Sequence, residues 1–240
     1  MTLLDTAESY GDGESERFLG RCIRKYDRKD LFIVDKILPE NADKEGFLRS
    51  CRRSLDHLGV ESIDLYLLHW REGLELQGVV DGMEDLVSRG LIRRWGVSNF
   101  DTADMEELFR CENGRNCFCN QILYNLRSRG PEYDLIPWCR EHGVLVMAYS
   151  PLCHGGEERD AVADDRRVRE ICAGTGKTPE SLMLSFVIRD RDIVTLFKTS
   201  DPGRLRANMQ NVFVPLGEEE QTALSRIFPA PDRRVPLQSI

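Results

Sequence analysis

Four side chains that could together donate a proton to a carbonyl oxygen occur early in the chain. They are Asp5, Tyr10, Lys36 and His69. A tyrosine hydroxyl is a weak acid at neutral pH, and a nearby ammonium group stabilises the phenolate that remains after the proton leaves. A carboxylate beside that ammonium keeps it charged, and a histidine can orient the carbonyl or join the proton relay. This chemistry is typical of carbonyl reduction, in which hydride reaches the carbon as a proton reaches the oxygen.

Each of these residues alone has a simpler interpretation. Asp5 could cap a turn, and Tyr10 could pack as an aromatic with a wet hydroxyl. Lys36 could extend to solvent, and His69 could be a core histidine. Their joint occurrence favours the chemical interpretation, because one chemistry needs all four residues together. Asp5 and Tyr10 follow the first apolar run, Lys36 ends the second and His69 follows the third.

The elements that must position these residues alternate between short apolar runs and longer segments with helical periodicity. The apolar runs predict strands at residues 3–4, 31–36, 63–68, 92–97, 118–123, 144–149 and 193–197. The periodic segments predict helices at residues 15–26, 44–58, 74–88, 102–110, 133–142, 165–172, 179–189, 201–210 and 218–227. Polar residues 155–165 are expected to form a mobile loop, and residues 229–240 an irregular tail.

This alternation predicts an α/β fold with parallel strands, either an open doubly wound sheet or a (β/α)8 TIM-type barrel. Gly11 and Gly13 lack the third glycine of a dinucleotide-binding fingerprint, so the barrel is favoured. Seven strands are visible. We expect a single domain over residues 1–240, with barrel repeats in residues 1–210 and a C-terminal helix and tail in residues 211–240. Barrel active sites lie at the carboxyl ends of the strands, where the four residues fall.

The composition excludes several classes of function. Lys and Arg number 33 against 41 Asp and Glu, a net charge of −8, which argues against broad binding to nucleic acid or anionic membranes. No apolar run approaches the ~20 residues of a membrane span, and the first residues do not resemble a secretory signal. The eight cysteines form no C-x-x-C pair and are interpreted as reduced thiols. These features predict a cytoplasmic protein.

Six ordered segments carry a resemblance to a known family. Residues 4–11 read LDTAESYG, residues 64–70 DLYLLHW, residues 96–100 GVSNF, residues 120–125 NQILYN, residues 148–152 AYSPL and residues 197–204 FKTSDPGR. In this order they resemble motifs of the aldo-keto reductase superfamily, and the similarity runs from residue 2 to about residue 210. The resemblance implies a (β/α)8 barrel that reduces an aldehyde or ketone with NADPH and without a metal.

The resemblance also implies roles for individual residues. Tyr10 would be the general acid, with Asp5, Lys36 and His69 as its partners. The nicotinamide amide would be bound by Ser98, Asn99 and Gln121, and Tyr149 would stack on the ring. Ser150 and Leu152 would approach the pyrophosphate. The partner would be a small-molecule carbonyl substrate.

The last motif concerns the phosphate of the cofactor. The resemblance implies that the binding site for this end of the cofactor is formed by Lys198, Thr199, Ser200, Arg204 and Asn208. Lys198 and Arg204 would bind the 2′-phosphate of NADP, and Asn208 would reach the adenine. Phe197 replaces the usual proline and Ala207 the glutamate of many members, so NADH is also compatible with the sequence.

The resemblance begins at the second βα unit of the family, with only Met1 to Leu4 before Asp5. A barrel that lacks one strand leaves two edges unpaired. Three explanations stay open: a start further upstream, a short form with weak or no activity, and a strand supplied by a partner or a swapped segment. The oligomeric state also stays open.

Two alternative functions follow from this reasoning. The first is a catalytically weak or inactive nucleotide-binding scaffold or regulatory protein of the same fold. The second is a barrel aldolase that uses Lys36 as a Schiff-base amine. For the reductase, we expect Trp70 to form an aromatic wall of the substrate pocket, with Arg71 and Phe100 nearby.

Overall fold

The computed structural model describes residues 2–240. The chain divides into two compact units, one up to Asn120 and one from Gln121 onwards. Within residues 2–240, no helix is both long enough and apolar enough to cross a membrane. All eight cysteines are free thiols.

Four parallel strands form the sheet of the first unit. They are β1 (Leu3–Asp5), β2 (Phe32–Ile37), β3 (Ile63–Leu68) and β4 (Ile92–Ser98). Each strand pairs with the next in chain order. Ile37 lies opposite Leu68, and Leu68 lies opposite Val97. This register brings the carboxyl ends of the strands to one edge, as the sequence predicts.

Four helices accompany these strands. They are α1 (Glu14–Ile23), α2 (Gly46–Leu58), α3 (Leu76–Ser88) and α4 (Thr102–Leu108). Gly59 ends α2 with φ 67°, a left-handed conformation that glycine adopts without steric cost. Asp101 begins α4 in a capping box with Asp104. Local capping therefore sets the helix ends that lead into and out of the sheet.

The core of the first unit lies on and around the strands. All six side chains of β3 are buried, and Trp95 on β4 is 1 % exposed. Buried ionisable side chains accompany this apolar core, because Asp35 and Lys36 of β2 and Glu16 of α1 are all inaccessible to solvent. Buried charges require partners, so these three residues mark places where side chains must interact.

Strand β5 (Cys119–Leu123) begins in the last two residues of the first unit and continues into the second. The second unit also contains β6 (Leu145–Tyr149) and β7 (Ile193–Leu196), which pair in parallel. Its helices are α5 (Leu135–His142), α6 (Gly155–Ala163), α7 (Arg166–Thr175), α8 (Pro179–Val187), α9 (Pro202–Asn211) and α10 (Glu218–Ile227). Thr178 caps α8 and Pro179 occupies its first turn, as expected from the sequence. Residues 229–240 form no helix or strand, which agrees with the predicted irregular tail.

Two local predictions are wrong. Residues 155–163 form α6 rather than a mobile loop, since Glu157 and Glu158 stabilise its amino-terminal turn and Val162 is buried in an apolar cluster. The helix predicted to reach residue 26 ends at Ile23, and Tyr26 lies beyond it with more than half of its surface exposed. Burial of an apolar side chain therefore stabilises α6 although its sequence is mostly polar. Helix α1 ends earlier than predicted, and the residue at its predicted end is exposed.

Candidate active site

Lys36 is the centre of the candidate site in the first unit. It lies near the end of β2, and its side chain is 0 % exposed. Its Nζ donates to Asp5 Oδ1 at 2.6 Å and to the Thr6 carbonyl at 2.8 Å. The third contact is with the Tyr10 hydroxyl at 3.4 Å. Three donors therefore meet three oxygen atoms, and the predicted Asp5–Tyr10–Lys36 association is present.

The charge of Lys36 is held by these contacts. Burial by itself would lower the pKa of Lys36, but Asp5 and then Tyr10 raise it above its usual value. The interpretation of Lys36 as a solvent-exposed lysine is therefore wrong. A buried ammonium with three hydrogen-bond partners is also unsuited to attack a carbonyl, which argues against the Schiff-base aldolase.

Tyr10 lies on the open side of this cluster. A turn after β1 positions it, in which the Tyr10 N–H donates to the Ala7 carbonyl at 3.0 Å. The Lys36 Nζ lies 4.9 Å from the centre of the Tyr10 ring, and the side chain is 42 % exposed. The hydroxyl can therefore contact both the buried ammonium and a molecule arriving from solvent.

His69 follows β3 and lies beside Tyr10. The His69 N–H donates to the Ile37 carbonyl at 2.9 Å, which extends the β2–β3 ladder by one residue. Its ring lies edge-on to that of Tyr10, with 5.7 Å between centroids. Burial, assisted by the charge of Lys36, lowers the pKa of His69 to about 4. The imidazole is therefore neutral at physiological pH.

Ser98 and Asn99 at the end of β4 complete the edge of the first unit. Ser98 is buried, and Asn99 adopts φ 60°, a left-handed conformation that asparagine tolerates better than most residues. The Asn99 Nδ2 donates to the His69 carbonyl at 3.1 Å and to Ser98 Oγ at 3.3 Å. Asn99 thus ties the end of β4 to the histidine.

The expected pocket residues differ in their surroundings. Trp70 is 36 % exposed, its ring lies 4.7 Å from that of His69, and its Nε1 donates to Glu72. Trp70 is therefore placed as an aromatic wall beside the candidate site. Arg71 instead pairs with two carboxylates of α4 at 2.5 and 2.7 Å. Phe100 is fully buried and belongs to the core.

In the second unit, Gln121 lies on β5 and is 2 % exposed, and Tyr149 is the half-buried last residue of β6. Ser150 follows with φ 51°, and its carbonyl accepts from Asn125 at 3.0 Å. Leu152 packs against the apolar cluster that contains Val162. The structure thus places the polar residues at or near strand ends of this unit, whereas Leu152 is partly buried against the apolar cluster.

The segment after β7 presents cations to solvent. Lys198, Ser200 and Arg204 are exposed, and Thr199 Oγ1 accepts from the Asp201 N–H at 3.1 Å. Asp201 caps α9, and Asn208 on α9 is 6 % exposed. Within residues 121–240, neither Lys198 nor Arg204 forms an ion pair. Two cations near a helix amino terminus suit an anionic group such as a phosphate.

A second buried acidic group escaped sequence analysis. Glu16 Oε2 lies 2.7 Å from His57 Nδ1, and both Glu16 and Asp35 are fully buried. Burial and the adjacent Glu16 raise the pKa of Asp35 well above its usual value. The signal in the sequence was an aspartate inside the apolar run of β2, directly before Lys36.

Among residues 2–240, no cluster of three or more His, Cys, Asp or Glu side chains is arranged to hold a metal ion.

Known proteins share this sequence and structure. Residues 1–228 match the model of the Aldo/keto reductase family. The chain is 38 % identical to methylglyoxal reductase YeaE of Escherichia coli, over all of this chain and 84 % of that protein. It is 29 % identical to the 9,11-endoperoxide prostaglandin H2 reductase of Trypanosoma cruzi, over 93 % of this chain and 77 % of that protein.

Solved structures extend the comparison. An aldo/keto reductase from Klebsiella pneumoniae in complex with NADP and acetate is 40 % identical, with a TM-score of 0.96 over all of this chain and 84 % of that one. This similarity confirms the predicted fold class, an α/β fold of the (β/α)8 type in which seven strands are visible.

Proposed function

Because this chain belongs to the aldo/keto reductase family, we propose that it reduces an aldehyde or ketone to an alcohol with Tyr10 as the general acid. One observation carries the assignment of the acid: the fully buried Lys36 ammonium, held by Asp5, lies 3.4 Å from the Tyr10 hydroxyl. No other tyrosine of residues 2–120 lies that close to a lysine Nζ in a hydrogen bond.

Tyr10 gives its hydroxyl proton to the carbonyl oxygen of the substrate. The phenolate that remains lies beside the Lys36 ammonium, which stabilises it by charge. Asp5 contributes by holding Lys36 charged and in place at 2.6 Å. Because Tyr10 is 42 % exposed, water can return the proton once the product leaves.

His69 acts as a hydrogen-bonding group rather than as the acid. With a pKa of about 4, it carries no ionisable proton to give at neutral pH. A neutral imidazole can still donate one hydrogen bond to the carbonyl oxygen. His69 therefore orients the substrate, and Trp70 beside it limits the shape of the substrate on one side.

Our proposal includes NADPH as the cofactor, and the second unit offers groups that suit it. Lys198 and Arg204, exposed beside the amino terminus of α9, would hold the 2′-phosphate, with Thr199, Ser200 and Asn208 near it. Gln121, Tyr149, Ser150 and Leu152 take the roles that the family resemblance gives them. When bound, the reduced nicotinamide supplies the hydride.

In the first unit, Ser98 and Asn99 take the contacts to the nicotinamide amide. Asn99 is already held by its bonds to the His69 carbonyl and to Ser98. Because the side-chain amide of Asn99 is already fixed, it loses little conformational freedom when the nicotinamide binds. This favours one orientation of the nicotinamide.

For the substrate we propose a small oxoaldehyde. The support is the similarity to a methylglyoxal reductase, at 38 % identity over the whole chain. A small carbonyl also fits a site with only one aromatic wall identified in the first unit, Trp70.

The test is NADPH oxidation by the purified chain with methylglyoxal, compared between wild type, Tyr10→Phe and Tyr133→Phe. Tyr133 is an equally exposed tyrosine of the second unit, at 49 % against 42 % for Tyr10. We expect Tyr10→Phe to lower kcat by about 10²- to 10⁴-fold, the usual contribution of a general acid. Turnover unchanged by Tyr10→Phe would refute the acid, and NADPH binding without turnover in wild type would support the non-catalytic scaffold.

A further inference from the structure

Ser9 lies next to the general acid and makes a contact that the mechanism above does not use. Its Oγ lies 3.4 Å from Nδ1 of His69, and Ser9 is half-buried. Ser9 belongs to the turn that positions Tyr10 after β1. One short segment therefore carries both the proposed acid and a hydroxyl that faces the histidine.

The remaining surroundings fix where His69 stands. Its N–H is bonded to Ile37 and its carbonyl accepts from Asn99. Its ring is flanked by Tyr10 on one side and Trp70 on the other. The backbone and the plane of the ring are thus set, and what is left to determine is which ring nitrogen carries the hydrogen.

A neutral imidazole has one N–H donor and one acceptor nitrogen, and the bond made by one nitrogen decides the state of the other. If Ser9 accepts from Nδ1, then Nε2 has only a lone pair to offer. If Ser9 donates to Nδ1, then Nε2 carries the hydrogen. Only the second arrangement can donate a hydrogen bond to a carbonyl oxygen.

The hydroxyl of Ser9 is available for this second arrangement. Within residues 2–120, Ser9 Oγ makes no other hydrogen bond, and Nε2 of His69 makes none. Within the described residues 2–120, Nδ1 is therefore the one protein atom in reach that could accept the Ser9 hydrogen, and Nε2 is left for a ligand.

We propose that Ser9 is a positioning residue that donates its hydroxyl hydrogen to His69 Nδ1 and so holds the imidazole in the tautomer with hydrogen on Nε2. Its catalytic consequence, an N–H presented to the substrate carbonyl, rests on the proposed reductase function. Because the contact at 3.4 Å is long for a hydrogen bond, we expect a moderate effect.

The test is an NMR measurement on the whole chain without cofactor or substrate. The protein is labelled with ¹⁵N in its histidine rings, and two-bond ¹⁵N–¹H correlations identify the tautomer. The chain has four histidines, so signals lost in His69→Asn assign His69. We expect the Nε2–H pattern in wild type and in Ser9→Thr, which keeps a hydroxyl. In Ser9→Ala, we expect ring shifts that move toward a mixture of the two tautomers.

Ser15→Ala is the matched control, since Ser15 accepts a hydrogen bond from Thr6 in the same segment and has no bond to His69. It should leave the His69 shifts unchanged, and thermal unfolding confirms that each variant is folded. The Nδ1–H pattern in wild type, or the wild-type pattern retained in Ser9→Ala, would overturn the proposal.

A kinetic measurement then separates this proposal from the reductase function. Ser9→Ala should lower kcat/KM for methylglyoxal by about 2- to 10-fold, the range of a single hydrogen bond, with the KM for NADPH unchanged. The expected tautomer together with no reduction of any carbonyl by wild type would refute the reductase function and leave the assignment of Ser9 standing.

Discussion

The two compact units hold their functional cations in opposite ways. In the first unit, Lys36 is inaccessible to solvent and bonded to Asp5, Thr6 and Tyr10. In the second unit, Lys198 and Arg204 are exposed and form no ion pair within residues 121–240. The first arrangement takes a charge out of water and compensates it with protein groups, whereas the second leaves the charge hydrated.

This difference matches the two tasks that we propose. A charge that must assist proton transfer gains from low dielectric and fixed position, so it is organised during folding. A charge that must bind an anionic ligand can stay in water until the ligand arrives, because exposed groups contribute little to stability. The same substitution should therefore have different consequences in the two units, for activity and for stability.

The largest effect is expected for Lys36→Met. Methionine fills a similar volume but removes the ammonium that pairs with Asp5, which is only 16 % exposed. Breaking a buried ion pair in this way costs about 3–5 kcal/mol, so the free energy of unfolding should fall by an amount of that order. Loss of the ammonium beside Tyr10 should also lower kcat by about 10²-fold or more. Urea denaturation and NADPH oxidation measure the two effects.

Lys198→Met tests the other side of the comparison. Since Lys198 is exposed, we expect the free energy of unfolding of the Lys198→Met variant to stay within about 0.5 kcal/mol of wild type. The Kd for NADPH should rise by about 10- to 100-fold, the range of a bond to a charged group, with the Kd for NADH nearly unchanged. Fluorescence titration with both cofactors measures this.

Lys44→Met, at an exposed lysine of the first unit, controls for the loss of one positive charge. An equal weakening of NADPH and NADH binding by Lys198→Met would remove Lys198 from the 2′-phosphate site. A large loss of stability in the same variant would contradict the contrast between the units.

The strand ends were predictable because parallel strands deliver their carboxyl ends to one edge. Asp5, Lys36 and His69 each lie at or just after such an end, and the structure brings them together around Tyr10. The neutral state of His69 was not predictable, because it depends on how much of the ring the fold buries.

Contacts between a helix and a strand were also not predictable from the sequence. Glu16 on α1 and Asp35 on β2 come together only after folding, and neither belongs to a strand end. The register of a helix over a sheet is set by packing, which a periodic pattern does not specify. Glu16 and Asp35 were accordingly absent from the predicted site, although Asp35 directly precedes Lys36 on β2 and Glu16 lies on the helix that follows Tyr10.

This carboxylate pair gives a smaller, pH-dependent effect. Asp35 Oδ2 and Glu16 Oε1 have no hydrogen-bond donor within residues 2–240, so a proton on Asp35 supplies the missing one. A raised pKa in the folded state means that the folded protein binds this proton more tightly than the unfolded chain. The free energy of unfolding should therefore fall as pH rises above 3.8, by at most about 1.4 kcal/mol per pH unit.

Asp35→Asn should abolish that slope. The asparagine oxygen can still accept from the Lys36 N–H, a bond of 2.8 Å to Asp35 Oδ1, and its amide can donate to Glu16. We expect the variant to be more stable than wild type between pH 7 and 9, by a margin that grows with pH as far as the raised pKa. Asp56→Asn, at an exposed site on α2, is the control. Parallel stability curves for wild type and Asp35→Asn would show that Asp35 is ionised in the folded state.

The smallest expected effect is the absence of a histidine step in the pH profile. An exposed histidine titrates near 6.5, and a histidine acting as the acid would give kcat/KM an inflection there. His69 has a pKa of about 4 because burial and Lys36 both disfavour its charged form. His69 should therefore stay neutral from pH 5.5 to 8, and kcat/KM for methylglyoxal should show no inflection near pH 6.5.

Acidification toward pH 4 should lower kcat/KM, since a protonated His69 would lie beside the Lys36 ammonium. A step near 6.5 that is lost in His69→Gln would show that His69 titrates normally, and the fixed charge state that distinguishes the first unit would then be confined to Lys36.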